Sequence, residues 1–199
     1  MYSQSDEDEV LSDLFNKIGT ETKCLVDIGA GDGILYSNTR RFIENGWYGF
    51  LFDKMYDINN VHKEHITLSN LNFILTKYNV PTDIDLLSID IDGMDYYIWK
   101  YILIKPRVVI IEYNQHIDSD KSIVIKYQEF FNFDNTDYYG ASYLAMKKLG
   151  EELGYKIYDI SPTNIIFIKN NINIESLNTQ FSKREGFTHD TLNREWVLV

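Results

Sequence analysis

The stretch "CLVDIGAGDG", residues 24–33, decides the fold. Cys24, Leu25 and Val26 are apolar and suit a buried strand, and the chain then runs into glycines at positions 29, 31 and 33. Glycine adopts the positive φ of a tight turn and lets other backbone approach closely. A buried strand that enters such a turn, followed by helical spacing, is the opening unit of a parallel α/β sheet. Its ligand site belongs off the C-terminal ends of the strands.

The pattern continues in both directions. Upstream, Val10, Leu11, Leu14, Phe15 and Ile18 predict a helix over 7–18, with Ser5 as its cap, Asp6 to Glu9 on its positive end and Gly19 at its close. Downstream, "ILYSNTRRFIENGW" (34–47) reads as a helix closed by Gly46, and "YGFLFD" (48–53) as the second strand. A short third strand is expected near His65–Thr67. A helix follows in "SNLNFILTKYNV", stopping before Pro81, then a strand at 85–90, a short helix in "MDYYIWKYIL" and a strand in "RVVIIEYN" after Pro106. Residues 115–139 are irregular and polar-aromatic, long enough to cover a substrate. A helix over 140–154 precedes "YKIYDI" and "NIIFIK", which flank Ser161-Pro162-Thr163 as an antiparallel hairpin. The expected organisation is one domain over 1–199: an N-terminal helical segment (1–20), a core (21–170) and a C-terminal extension (171–199).

Bulk composition narrows the function. Hydrophobic residues at 44% and charged residues at 25% are ordinary for a globular chain. Net charge is −11, which argues against nucleic acid or an anionic membrane as the main partner, is compatible with a cationic ligand and does not forbid a phosphorylated substrate held by a local Arg. Cys24 is the lone cysteine, the N-terminus "MYSQSDEDEV" has no apolar signal region, and no apolar run approaches the ~20 residues that span a bilayer. A cytoplasmic location is expected. Oligomeric state is not encoded in any of these features.

Acidic groups recur at the strand ends: Asp27 beside the glycine turn, Asp53 after the second strand, Asp90 and Asp92 after the next, then Glu112 and Asn114. A dinucleotide site calls for G-x-G-x-x-G and a helix N-terminus aimed at pyrophosphate. Here Ile34 stands where the last glycine belongs, and Asp32 would repel phosphate. S-adenosylmethionine carries a sulfonium and an ammonium, both attracted by carboxylates. Candidate cofactor contacts are Asp27, Gly29, Ala30, Gly31, Ser37, Asn38 and Asp90. Asp53, at 22 residues past Gly31, is placed to take the ribose hydroxyls.

These residues carry a resemblance. "VDIGAGDG" resembles motif I of class I S-adenosylmethionine-dependent methyltransferases. "YSQSDED", "GILYSNTRRFIENGWYGFLFD", "LLSIDIDGMDYYIW", "PRVVIIEYN" and "DYYGASYLAMKKLGEELGY" are similar to an FkbM-like group of bacterial and viral relatives, over roughly residues 2–168. The resemblance implies a Rossmann-like, mostly parallel seven-stranded sheet with an antiparallel C-terminal hairpin and helices on both faces. The short 54–66 segment implies a trimmed third strand and a reduced adenine wall. The resemblance also implies O-methylation of a sugar, nucleotide-sugar or surface-polysaccharide precursor.

Two chemistries fit the remaining residues. In one, His116 or Asp92 takes the acceptor proton directly. In the other, Asp90 or Asp92, Glu112 and Asn114 hold Mg²⁺ or Mn²⁺, which polarises the hydroxyl. Asp92 before Gly93 also fits a simple turn, and Asp95 a helix cap. A helix face in solvent explains Arg40 and Arg41. A non-catalytic Rossmann-like ligand- or partner-binding protein, and a nucleotide-dependent oxidoreductase, are the rival readings.

Overall fold

The computed structural model describes residues 2–177, 179–186 and 188–199. Seven strands form one sheet: β1 (Cys24–Ile28), β2 (Tyr48–Asp53), β3 (Val61–Lys63), β4 (Asp83–Ile89), β5 (Lys105–Glu112), β7 (Tyr155–Ile160) and β8 (Asn164–Lys169). Their order is β3-β2-β1-β4-β5-β8-β7. β1 to β5 pair in parallel, whereas β8 runs antiparallel to both β5 and β7. This is the Rossmann-like, mostly parallel sheet with an antiparallel hairpin that the sequence led us to expect.

Both faces are buried because successive side chains on a strand point to opposite sides. Leu25, Leu51, Leu86 and Val108 enter one core with Leu11, Leu14 and Phe15 of α1 (Glu7–Ile18) and Phe42 of α2 (Arg40–Glu44). Val26, Phe52, Leu87 and Val109 enter the other. They pack there with side chains of α3 (Leu71–Lys77), α4 (Asp95–Tyr101) and α5 (Tyr143–Glu152), among them Ile74, Trp99 and Met146. The C-terminal extension returns β9 (Trp196–Leu198) to pair antiparallel with β6 (Ile123–Ile125), fastening residues 115–139. Among the described residues no helix is long and apolar enough to cross a membrane.

Four local expectations are corrected. The helix expected over 34–47 is only Arg40–Glu44. The Asp32 carboxylate accepts the N–H groups of Ile34 and Leu35, Tyr36 has φ +56°, and Ser37 Oγ accepts from Arg40 N, so the chain stays in turns until residue 40. The third strand lies at Val61–Lys63, not at His65–Thr67, because Thr67 N already donates to Asn70 Oδ1 at the approach to α3. Ser5 does not cap α1: Asp6 is at the cap position without a side-chain bond, while Ser3 Oγ accepts from Asp8 N at 3.2 Å. The acidic residues lie in the first turn of α1 as expected, and the solvated-face reading of the Arg pair fails at Arg41. Glu7 and Asp8 are buried, Glu7 accepting from Ser161 Oγ at 2.7 Å and Asp8 meeting Arg41 Nε at 3.1 Å, while Arg40 pairs with Glu44.

Asp85 anchors the N-terminal edge of the sheet. It is fully buried and accepts from the backbone N–H groups of Glu21, Thr22 and Lys23 and from Arg107 at 2.9 Å. Burial alone would push its carboxyl up; Arg107 and the three amides outweigh it and hold the group below the usual carboxylate range. Breaking a buried, hydrogen-bonded pair leaves an uncompensated charge. We expect Asp85→Ala to cost about 3 kcal/mol in urea unfolding, and Arg107→Met to cost less because the three amides remain.

Candidate functional site

The turn after β1 rests on the end of β4. Gly29 has φ +90°, and a Cβ there would lie 1.7 Å from Asp90 O, so only glycine permits this approach. Asp90 N donates to Ile28 O at 2.9 Å, and Gly29 N and Ala30 N both donate to Phe52 O. The ends of β1, β2 and β4 are thereby drawn around a cavity of about 360 Å³.

Every sequence-expected cofactor residue lines that cavity: Asp27, Gly29, Ala30, Gly31, Ser37, Asn38, Asp53 and Asp90. Asp27 is 3% exposed and its Oδ2 accepts from Thr39 Oγ1 at 2.6 Å. Burial pushes the Asp27 carboxyl up to about 6, against the lowering effect of hydrogen bonds from Thr39 and Ser88. Asp53 accepts from Gly31 N at 3.1 Å and from Met55 N at 2.7 Å, fixing its carboxylate at the pocket wall.

Six amides of the turn are already committed within the protein. The N–H groups of Gly29, Ala30, Gly31, Gly33, Ile34 and Leu35 are all spent on protein acceptors. Beside them the cavity lining includes the carboxylates of Asp27, Asp53 and Asp90, with Lys54, Ser37 and Asn38 also on it.

The 54–66 segment, expected to wall the pocket poorly, supplies Met55, Tyr56, His65 and Ile66 to it. His65, marked in the sequence only as the start of an expected strand, is one of these wall residues. Tyr127, Gln128, Glu129 and Phe131 close the cavity from the 115–139 segment, which does cover the pocket as expected. That segment is held by contacts remote in sequence: Thr67 Oγ1 donates to Glu129 at 2.9 Å, and Phe131 packs where a Cβ on Gly93 would stand, at 2.5 Å. No local signal in the sequence announces these partners.

The proposed chemistry divides differently from the sequence expectation. Asp92 lines the cavity, exposed and at φ +59°, so it both shapes the turn and faces the pocket. His116 does not reach this pocket. Its Nδ1 lies 2.7 Å from Arg184 O, and it borders a separate cleft with Asp137 and Arg194. Asn114 is not free to ligate a metal: it is fully buried, Nδ2 donates to Asp137 O and Tyr139 O, and Oδ1 accepts from His116 N. Asp95, rather than Asn114, stands beside Asp90 and Glu112. Met94, not Asp95, occupies the cap of α4, and the buried Asp95 carboxylate accepts from Ile91 N and Gly93 N. Ligand atoms of Asp90, Asp95 and Glu112 lie within 4.8 Å of one another. Burial, then the neighbouring carboxylates, pushes Asp90 and Glu112 well above the usual carboxylate range; burial pushes Asp95 up to about 6.

No family model and no curated protein matches the chain. Solved structures do. The chain is similar to the 1,6-didemethyltoxoflavin-N1-methyltransferase of Burkholderia thailandensis, whose structure holds 1,6-didemethyltoxoflavin and S-adenosylhomocysteine. Identity is 13%, coverage is 83% of this chain and 79% of that one, and the TM-score is 0.50. It also matches TnmH (12% identity, 81% of this chain, 56% of that chain, TM-score 0.43). A third match is CalO1, a methyltransferase in calicheamicin biosynthesis, in its S-adenosylhomocysteine-bound form (14%, 81%, 55%, TM-score 0.39). At these identities the likeness is one of fold, and the first of the three carries it.

Asp27 supplies a pH test. Its folded pKa, about 6, lies above the ~3.9 of an unfolded aspartate, so its contribution to stability is fully present below pH ~4 and lost as pH rises through 6. The unfolding free energy of the wild type relative to Asp27→Asn should therefore fall across that window, by up to about 3 kcal/mol. A flat difference would mean that the carboxylate is solvated.

Proposed function

We propose that the chain is an S-adenosylmethionine-dependent O-methyltransferase acting on a hydroxyl of a sugar, nucleotide-sugar or surface-polysaccharide precursor. One observation carries the cofactor assignment: the glycine turn commits the amides of Gly29, Ala30, Gly31 and Gly33 internally, and Asp27, Asp53 and Asp90 line the cavity around it. A pyrophosphate needs free N–H donors and a helix N-terminus, and here the next helix begins only at Arg40 and is five residues long. A ligand with a sulfonium and an ammonium meets the opposite need. The fold of the toxoflavin-precursor methyltransferase, found with S-adenosylhomocysteine, supports the same reading.

S-adenosylmethionine supplies an electrophilic methyl on sulfur, which an acceptor oxygen takes in line as the carbon–sulfur bond breaks. The chain's part is binding and proton transfer. Asp53 stands where it can accept from the two ribose hydroxyls. Asp27 and the carbonyls of the glycine turn receive the ammonium. Asp92, at the exposed side of the cavity, takes the acceptor proton on its carboxylate. The carbohydrate acceptor rests on the FkbM-like resemblance. It is supported by the exposed Tyr36 and Tyr56 on the pocket wall, where a ring can lie against the apolar face of a sugar.

S-adenosylhomocysteine should raise the melting temperature and NAD should not; the reverse result would return the pocket to a dinucleotide. Asp53→Ala should weaken S-adenosylhomocysteine binding about tenfold or more, read by calorimetry, without lowering the melting point of the free protein by a comparable margin. Screening nucleotide sugars with S-adenosylmethionine, read by mass for the gain of one methylene, tests the acceptor class.

A further inference from the structure

Asp90, Asp95 and Glu112 come from the end of β4, the first turn of α4 and the end of β5, and no pair of them is adjacent in sequence. Among the described residues no Lys, Arg or His forms an ion pair with any of the three. Asp95 has its two backbone donors and Asp90 receives one, from Asp92. Glu112 differs. Although the residue keeps some exposure, its Oε2 is sealed from solvent and has no hydrogen-bond partner. A buried carboxylate oxygen without a donor carries a desolvation penalty that nothing in the protein offsets.

The cluster is compact enough to share a single ion. Opposite oxygens around Ca²⁺ stand about 4.6–5.2 Å apart and around Mg²⁺ about 4.2 Å, from metal–oxygen distances of about 2.3–2.6 and 2.0–2.1 Å. The three ligand atoms lie within 4.8 Å. All are oxygens, which suits a hard divalent cation rather than zinc or copper. Asp90 belongs to both the cluster and the cavity wall, so an ion there would keep coordination positions open toward the pocket.

We infer that Asp90, Asp95 and Glu112 form a binding site for one hard divalent cation, seated on the β4–β5 side of the cavity. Its purpose rests on the methyl-transfer reading: the ion would draw the acceptor hydroxyl to it and lower that hydroxyl's pKa beside Asp92. Its existence does not, because Glu112 Oε2 lacks a donor in this cluster whatever the pocket binds.

The probe is Mn²⁺, followed by electron paramagnetic resonance and calorimetry on the full chain after chelator treatment, with S-adenosylhomocysteine binding measured separately on each sample. Wild type should bind one Mn²⁺ per chain, displaceable by Mg²⁺ or Ca²⁺. Glu112→Gln, nearly isosteric, should weaken it at least tenfold while S-adenosylhomocysteine still stabilises the protein; Asp95→Asn gives the same reading if Glu112→Gln does not fold. Failure of wild type to bind Mn²⁺ at millimolar concentration, with S-adenosylhomocysteine still bound, overturns the cation site and leaves the cofactor reading standing. Mn²⁺ binding that both variants retain also overturns it. Mn²⁺ binding lost in Glu112→Gln, from a wild type that ignores S-adenosylhomocysteine, keeps the ion and removes the cofactor.

Discussion

The close approach of Gly29 to the end of β4 organises everything around it. A Cβ at residue 29 would fall on the Asp90 carbonyl, so the turn after β1 lies directly against the neighbouring strand. The same turn is bonded to the end of β2 through Phe52 O. Three strand ends are thus gathered at one point, and each ends in a carboxylate: Asp27, Asp53 and Asp90. No larger residue leaves that geometry in place, because both the positive φ and the missing side chain are required.

The two ends of β4 treat buried acid in opposite ways. At its start, Asp85 has Arg107 and three backbone amides, and its carboxyl lies below the usual range. At its far end, Asp90 joins Asp95 and Glu112 with no cation beside them, and Asp90 and Glu112 are pushed well above it. The first arrangement is what a stabilising buried charge requires. The second is costly while the carboxyls are charged, and either a proton or a cation offsets it. Perturbed acids facing a cleft mark functional positions for this reason, and stability given up there is commonly recovered elsewhere in the fold. The segment over the pocket shows a related economy. It has little regular structure of its own, and β9, Thr67 and the bare face of Gly93 hold it in place.

Much of the fold was legible because its signals are local. Alternation and β-branched runs marked the strands, and the glycine turn fixed the sense of the first crossover. The misjudged elements were ones where side chains compete with the backbone. Asp32 and Ser37 capture amides that a helix over 34–47 would have used, and Asn70 does the same to Thr67. The cofactor positions were readable for a different reason: residues at the C-terminal ends of parallel strands share one edge of the sheet whatever their loops do. His116 and Asn114 sat one step beyond the strand end, where that rule no longer holds. There the chain turned His116 toward Arg184 and spent Asn114 on Asp137 and Tyr139.

By itself the sequence determined the parallel sheet, the antiparallel hairpin and the row of acids along the sheet edge, because strand periodicity and glycine turns act over a few residues. Only the tertiary structure decided which acids meet. Asp95, which reads as a helix cap, is brought to Asp90 and Glu112 by the packing of α4 against the sheet; His65 and Tyr127 reach the cavity from segments far apart in the chain. Those pairings depend on long-range packing and on the direction in which a turn releases the backbone, and neither leaves a periodic trace in the sequence.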